Sequence, residues 1–384
     1  MTRFGVILLL GLGFAVTTLA EEKADTSQGL GRVEAEALRS EVFAELREKR
    51  MAAAKAELKK REVKIGGKRL RWLEKETESF PEDGPSLWIS MHGGGGAPSE
   101  VNDRQWLNQI RLYQPEEGIY VAPRAPTDTW DLWHQKHIDP MFARLIENFV
   151  IARGVNPERV YLMGYSAGGD GVWQVAPRMA DRFAAASMMA GHPNEASLLG
   201  LRNLPFAIFM GGDDHHFDRN RIAAEKTSEL GKLRKDDPGG YRHFSRIYEG
   251  TGHWMNGRDA EALPWMAKHT RVSWPKRVVW YQDDVTHDRF YWLQLPSGAA
   301  KQGQTIKAEI KGQQISLSGD VPEGLKLLLA DELLDLDQPI VVTVNGEEQK
   351  PVTVTRTEAV IREFLEERLD PAAVPTAVLM VGGG

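Results

Sequence analysis

The 384-residue chain contains no cysteine. Disulfide bridges, thiolate nucleophiles and cysteine-ligated zinc are thereby excluded. Charge of one sign is also scarce in excess: 48 Lys and Arg face 54 Asp and Glu, a net charge of −6. That balance offers no basic footprint for nucleic acid, which is not an expected partner. A bilayer-length apolar run is missing too. The stretch Val6 to Val16 is short for a span and is broken by Gly11 and Gly13. It follows Arg3 and leads to Thr18-Leu19-Ala20, ahead of Glu21-Glu22. A positive start, an apolar middle and a small-residue end make a signal peptide over residues 1–20. The expectation is an exported protein, periplasmic or secreted, with no stable membrane anchor after cleavage. Because no cysteine follows, a lipid anchor at that point is excluded as well.

What is present is ordinary for a globular protein: 42% hydrophobic and 27% charged residues. The length calls for more than one core. Residues 21–61 read as a polar segment followed by a helix, Val33 to Arg61, with a thin apolar stripe of Val33, Ala37, Val42, Leu46 and Leu58. Residues 62–274 alternate short apolar strands with helical stretches. A hairpin turns at Gly66-Gly67, and strands follow at Ser86 to Met91, Gly118 to Ala122, Val160 to Met163, Ala184 to Met189, Pro205 to Met210 and Phe244 to Tyr248. This is the pattern of an α/β fold with a doubly wound, mostly parallel sheet covered on both faces. Residues 275–384 change texture to short strands separated by Gly, Pro and Asp, with a hairpin signal at Asn345-Gly346. They read as a smaller C-terminal β-sandwich-like domain, interrupted by a helix over Glu358 to Leu369.

The stretch Gly164-Tyr165-Ser166-Ala167-Gly168 has the form G-x-S-x-G, after a strand and before a helix expected from Gly171 to Phe183. A serine on such a turn sits in a strained backbone with its hydroxyl exposed, at the positive end of the helix. An acid should follow beyond a later strand, and then a histidine. Phe206 to Met210 is that strand, and Gly211-Gly212-Asp213-Asp214 follows it. Asp214, past the glycine pair, is the candidate acid, and Asp213 is the alternate. Beyond Ser245 to Glu249 lies Gly250-Thr251-Gly252-His253, which makes His253 the candidate base. His243 and His269 fit less well, since one precedes the strand and the other lies on a helix.

A tetrahedral intermediate also needs N–H donors for its oxyanion. The Ala167 N–H, next to the serine, is one candidate. The glycine loop His92-Gly93-Gly94-Gly95-Gly96 supplies the other, from Gly94 or Gly93. That loop lacks the Lys-Ser/Thr ending of a phosphate cradle. His92, Tyr165, Trp130, Trp133 and Trp254 are candidates for lining a substrate pocket. Asp213, Asp214, His215, His216 and Asp218 invite a metal reading, but adjacent histidines rarely reach one ion; no metal and no cofactor is expected.

These motifs together resemble the α/β-hydrolase superfamily. Among its members they are similar to secreted bacterial esterases of the polyhydroxybutyrate depolymerase, feruloyl esterase and dienelactone hydrolase-like groups. The resemblance spans roughly Leu87 to His269. It implies an exported serine hydrolase acting on carboxylic esters, small or polymer-linked, with Ser166, Asp214 and His253 as triad. Dienelactone hydrolases proper usually carry cysteine at the nucleophile, so serine here does not imply their lactone substrate. A serine peptidase of prolyl-oligopeptidase-like type would need the same triad, and a catalytically dead binding protein could keep the same scaffold. The natural ester and the oligomeric state are left open. Trp280, Tyr281, Phe290 and Trp292 of the C-terminal region either pack on the core or form an exposed strip for a polymer.

Overall fold

The computed structural model describes residue 1, residues 29–78 and residues 80–382; the signal peptide expected over residues 1–20 lies outside the described residues. Among the described residues the first element is helix α1, Arg32–Lys60. Eight strands then build one sheet: β1 Glu62–Ile65, β2 Lys68–Glu76, β3 Leu87–Met91, β4 Ile119–Arg124, β5 Val160–Tyr165, β6 Ala185–Met189, β7 Phe206–Gly211 and β8 His243–Tyr248. Their spatial order is β1-β2-β4-β3-β5-β6-β7-β8. The β1–β2 and β2–β4 pairings are antiparallel, and β4, β3, β5, β6, β7 and β8 run parallel. Every residue of β3, β4, β5, β6 and β7 is buried. Those strands carry near-continuous apolar runs because helices cover both faces of a parallel sheet. The covering helices are α2 Ser99–Leu112, α3 Ile138–Arg153, α4 Ala167–Arg178, α5 Arg219–Asp236 and the short α6 Ala262–Met266. This is an α/β-hydrolase sheet, as expected. Among the described residues no helix is long and apolar enough to cross a membrane.

Residues after β8 form two further sheets. One has the order β16-β15-β13-β12-β9, made of β9 Arg277–Tyr281, β12 Thr305–Lys311, β13 Gln314–Gly319, β15 Val341–Val344 and β16 Glu347–Glu348. The other has the order β10-β11-β14-β17, made of β10 Arg289–Phe290, β11 Leu293–Gln294, β14 Lys326–Leu329 and β17 Ala377–Met380. Helix α7, Glu358–Glu367, precedes β17; Thr357 caps it by accepting from the Val360 N–H. The β15–β16 register pairs Val344 with Glu347, so Asn345-Gly346 is a two-residue hairpin turn. Both turn residues have positive φ, 50° and 90°, which Asn and Gly tolerate.

Several expected elements differ in detail. Within the short strands of the C-terminal region, the run from Arg289 to Gln294 is a tight hairpin, with Phe290 paired to Leu293 and Tyr291 at φ 52°. Helix α4 begins at Ala167, four residues before the expected start, and ends in a separate short turn, Ala180–Arg182. Helix α1 buries Ala35, Val42, Leu46 and Ala54, whereas Val33 and Ala37 are exposed. Its buried side packs with Ile151 of α3 and with Ile361 and Leu365 of α7. The C-terminal aromatics are interior: Trp280, Phe290 and Trp292 are buried, and Tyr281 is partly so. Trp280, Phe290 and Trp292 belong to one apolar cluster with Leu162 and Ile208 of the large sheet, which excludes the exposed strip.

Polar contacts cross the same junction. Arg271 grips Asp370 through two hydrogen bonds of 2.7 and 2.8 Å, and both side chains are buried. Arg368 reaches Asp181, and the Tyr291 hydroxyl donates to the Ala180 carbonyl. Burial alone would raise the Asp370 carboxyl, but the Arg271 and Arg368 guanidiniums hold it well below the usual carboxylate range. A depressed folded-state pKa stabilises above the unfolded value, about 3.9, and that stabilisation fades as pH falls toward the folded value. Asp370→Asn should therefore cost about 3–5 kcal/mol at pH 7, because it strands a buried arginine. Urea unfolding at pH 7 and at pH 3 measures this; the gap between variant and wild type should narrow at the lower pH. An equal gap at both would refute the assignment.

Candidate active site

The serine turn is set by close backbone packing. A Cβ on Gly164 would lie 2.2 Å from the Gly168 carbonyl oxygen, and one on Gly168 would lie 2.1 Å from that of Met91. No side chain fits at either position, so the strand can bend sharply into α4. Ser166 at the bend has φ 57° and ψ −123°, a conformation L-residues rarely adopt. Its N–H donates to the Met189 carbonyl at 2.9 Å, and its carbonyl accepts from the Asp170 N–H at 2.9 Å. Those bonds hold the turn and leave the side chain free to face outward. The Ala167 N–H belongs to the first turn of α4, where N–H groups have no acceptor within the helix.

The loops after β7 and β8 bring Asp214 and His253 to this serine. His253 Nε2 lies 2.9 Å from Ser166 Oγ, and its Nδ1 lies 2.6 Å from Asp214 Oδ2. With the carboxylate accepting from Nδ1–H, Nε2 presents its lone pair to the serine hydroxyl. Asp214 is 3% exposed, whereas Asp213 is exposed and turned away from His253. The backbone explains the choice. The Asp213 N–H donates to the Thr251 carbonyl and the Asp214 N–H to that of Gly211, which folds the turn so that the second aspartate points inward. The Arg219 guanidinium stands 3.9 Å from the other Asp214 oxygen. Tyr165 secures the histidine loop: its hydroxyl donates to the His253 carbonyl at 2.6 Å and accepts from the Met255 N–H at 3.0 Å.

The glycine loop runs against the serine. A Cβ on Gly93 would lie 3.1 Å from Ser166 Cβ, and Gly94 and Gly95 have φ of 111° and 114°. Two of the residues expected to line a pocket instead support this loop. His92 is fully buried; its Nε2 accepts from the Ala125 N–H at 3.1 Å and its Nδ1 donates to the Gly93 carbonyl at 2.6 Å. Burial first, and then the Arg124 charge, push His92 down to about 4, so it is a neutral fixed brace. Trp133 is also fully buried and donates from Nε1 to the His92 carbonyl at 2.9 Å. Their polar atoms were better explained by the backbone groups they satisfy than by a ligand. Trp130 and Trp254 are exposed, at 64% and 51%, and do line open clefts.

Asn102 is a site residue the sequence reading missed. It is fully buried in α2, accepts from the Gly95 N–H at 3.0 Å, and donates to the Gly95 carbonyl at 3.0 Å and to Asp128 at 2.9 Å. It thereby occupies the Gly95 N–H. A helix-weakening asparagine in the first turn of α2 was the only local signal for it.

Ser166 sits where two clefts meet. One, about 340 Å³, runs from Gly94 past Trp130 to Asp170, His192 and Arg219. The other, about 660 Å³, runs from Gly93 past Gln105, Leu112 and Tyr165 to Trp254. Burial pushes the Asp170 carboxyl up to about 6, although it accepts from the His192 N–H at 2.6 Å. Among the described residues no group of three or more His, Asp or Glu side chains is placed to hold a metal ion. His215 instead contacts Asn220 at 3.1 Å.

Residues 113–283 match the Dienelactone hydrolase family. They form a dienelactone hydrolase family domain. That domain contains Ser166, Asp214 and His253, and it begins after the His92 glycine loop. NocK of Nocardia uniformis subsp. tsuyamanensis, provisionally named an esterase, is 27% identical over 197 residues, 48% of this chain and 57% of its own length. The chain thus spans little more than half of that relative. Among solved structures, a thermostable esterase is 20% identical with a TM-score of 0.41, covering 55% of this chain and 62% of its own. LpqC of Bordetella parapertussis, a poly(3-hydroxybutyrate) depolymerase, is 16% identical with a TM-score of 0.39, covering 54% and 93%. A ferulic acid esterase is 15% identical with a TM-score of 0.37, covering 54% and 96%.

The geometry separates the two aspartates by reactivity. Asp214→Asn should slow fluorophosphonate labelling of Ser166 by about 10²–10⁴, because the histidine loses its orienting partner. Asp213→Asn should leave the labelling rate within about twofold. Mass-spectrometric quantification of labelled Ser166 checks both; the reverse ranking would move the acid to Asp213.

Proposed function

We propose that the protein is an exported serine esterase that cleaves carboxylic esters through an acyl-enzyme intermediate. The observation that carries this reading is the unbroken chain from Ser166 Oγ through His253 to buried Asp214, with contacts of 2.9 and 2.6 Å. Ser166 attacks the ester carbonyl while His253 Nε2 takes the hydroxyl proton. Asp214 accepts from Nδ1–H throughout and stabilises the imidazolium that forms. His253 then passes the proton to the leaving alcohol. Water, activated by the same nitrogen, attacks the acyl-serine and releases the acid.

The negative oxygen of each tetrahedral intermediate falls to the Ala167 and Gly94 N–H groups, with Gly93 as the alternate to Gly94. The Gly95 N–H is already held by Asn102. His92 and Trp133 brace the loop that carries these donors, so no side chain has to move as charge develops. The two clefts flanking Ser166 give the acyl and alcohol parts of an ester separate places, and exposed Trp130 and Trp254 suit apolar or aromatic groups at either mouth. Nothing in this scheme requires a metal or cofactor.

Ser166→Ala should abolish hydrolysis of p-nitrophenyl acetate by the folded protein; retention of more than a few per cent of kcat/KM would exclude Ser166 as nucleophile. A brace rather than a contact should show a different pattern. His92→Ala should lower kcat about 10- to 100-fold with KM within about threefold, since only transition-state stabilisation is lost. A rise in KM at unchanged kcat would return His92 to the pocket wall.

A further inference from the structure

Helix α4 begins at the serine turn and ends, 12 residues on, at Arg178. At 1.5 Å per residue its far end lies about 18 Å from Ser166. Here a further cleft of about 470 Å³ opens between the end of α4 and the C-terminal region. Its walls are crowded with guanidinium groups. Arg178 and Arg182 come from the hydrolase side, and Arg289 and Arg368 from the C-terminal side.

The buried carboxylates account for only some of them. Asp139 holds Arg178 at 2.6 Å and His287 at 2.7 Å. Asp181 holds Arg368, and Asp370, deeper in, holds Arg271. Arg182 and Arg289 are held least: Asp181 and Asp370 attract Arg182 through space, but none of the described carboxylates hydrogen-bonds to it. The Arg289 side chain is 9% exposed, yet its Nε and Nη1 have no hydrogen-bond partner among the described residues. Among the described residues its one side-chain hydrogen bond is long, 3.4 Å, from Nη2 to the Ala373 carbonyl. The nearest carboxylate, Glu367, is half-exposed and 3.7 Å from Nη1. Arg182 makes no side-chain hydrogen bond or ion pair among the described residues. Lys136 adds a further positive charge at the cleft, partly offset by exposed Asp288.

A buried donor without an acceptor is costly, as at Arg289 Nε and Nη1, and several cations sharing few carboxylates are incompletely neutralised. The strain registers in the groups themselves. Burial first, and then the neighbouring Arg368, push the Arg182 guanidinium down to about 9 and that of Arg289 to about 10. A tetrahedral oxyanion has the charge, the size and the several acceptors that paired guanidinium forks require.

We propose that this cleft binds a tetrahedral oxyanion, phosphate or sulfate, either free or carried as a monoester on a small organic molecule. Arg182 and Arg289 are its chief ligands, one from each side of the junction. The bound anion therefore ties the C-terminal sheets to the end of the helix that presents the nucleophile. The site is separate from the ester cleft and does not depend on the esterase reading.

The test uses the full chain and inorganic phosphate, inorganic sulfate and glucose 6-phosphate as probes, with ionic strength matched by sodium chloride. A specific ligand stabilises the folded state by mass action, so Tm should rise by about 2–5 °C and saturate. Calorimetric titration should show Arg182→Gln and Arg289→Gln weakening the best probe at least 10-fold. Should Arg289→Gln fail to fold, Arg182→Gln decides, because among the described residues that side chain makes no hydrogen bond to lose. Tighter binding of the inorganic ions supports a free anion, and tighter binding of glucose 6-phosphate supports a carried one. Equal shifts from chloride at the same ionic strength, or undiminished binding by Arg182→Gln, would overturn the proposal.

Discussion

Ser166 is held in a backbone conformation that its own chemistry disfavours, and the close contacts of Gly164 and Gly168 allow it. At those two positions backbone meets backbone with no room for a methyl group. The bend makes β5 end and α4 begin within one residue. It also decides which way the serine hydroxyl faces, and so where the loops after β7 and β8 must deliver Asp214 and His253. Strain of this kind persists only where the surroundings overdetermine it. Here the buried strands on either side, and the Ser166 N–H bond to Met189, supply that constraint.

The chain order Ser166, Asp214, His253 was legible because each residue follows a recognisable strand and a glycine pair or glycine loop. Strand-ending loops of a parallel sheet converge on one edge, so position after a strand already implies proximity. What could not be read was the direction of individual side chains. Asp213 and Asp214 are neighbours in the same turn, and only the backbone hydrogen bonds of that turn separate them. His92 and Trp133 looked like pocket residues because polar aromatics near a catalytic loop so often are. Their burial and the bonds from Ala125 to His92 and from Trp133 to His92 depend on contacts 33 and 41 residues apart. Asn102 went unseen for the same reason: its role exists only once α2 is folded over the glycine loop.

The change of texture near residue 275 was also legible, but not its meaning. A shift from alternating strands and helices to short β-strands suggests separate cores. In the folded chain, Trp292, Leu327 and Ile315 share one apolar cluster with Leu162 and Phe206. The ion pairs Arg271–Asp370 and Arg368–Asp181 cross the same boundary in a buried setting. Pattern along the chain reports local structure, whereas the continuity of a core is a property of surfaces that meet from distant segments.

Helix α1 gives that continuity a temporal side. Its inward face is completed by Ile361 and Leu365 of α7, and Arg362 reaches Glu45 across 317 residues. On a growing chain the helix emerges long before the surface it rests on exists. Contacts of such sequence separation form late, because a large loop must close before they contribute anything. A helix made early is thus among the last to find its place, and until then its apolar stripe is available to whatever receives the nascent chain.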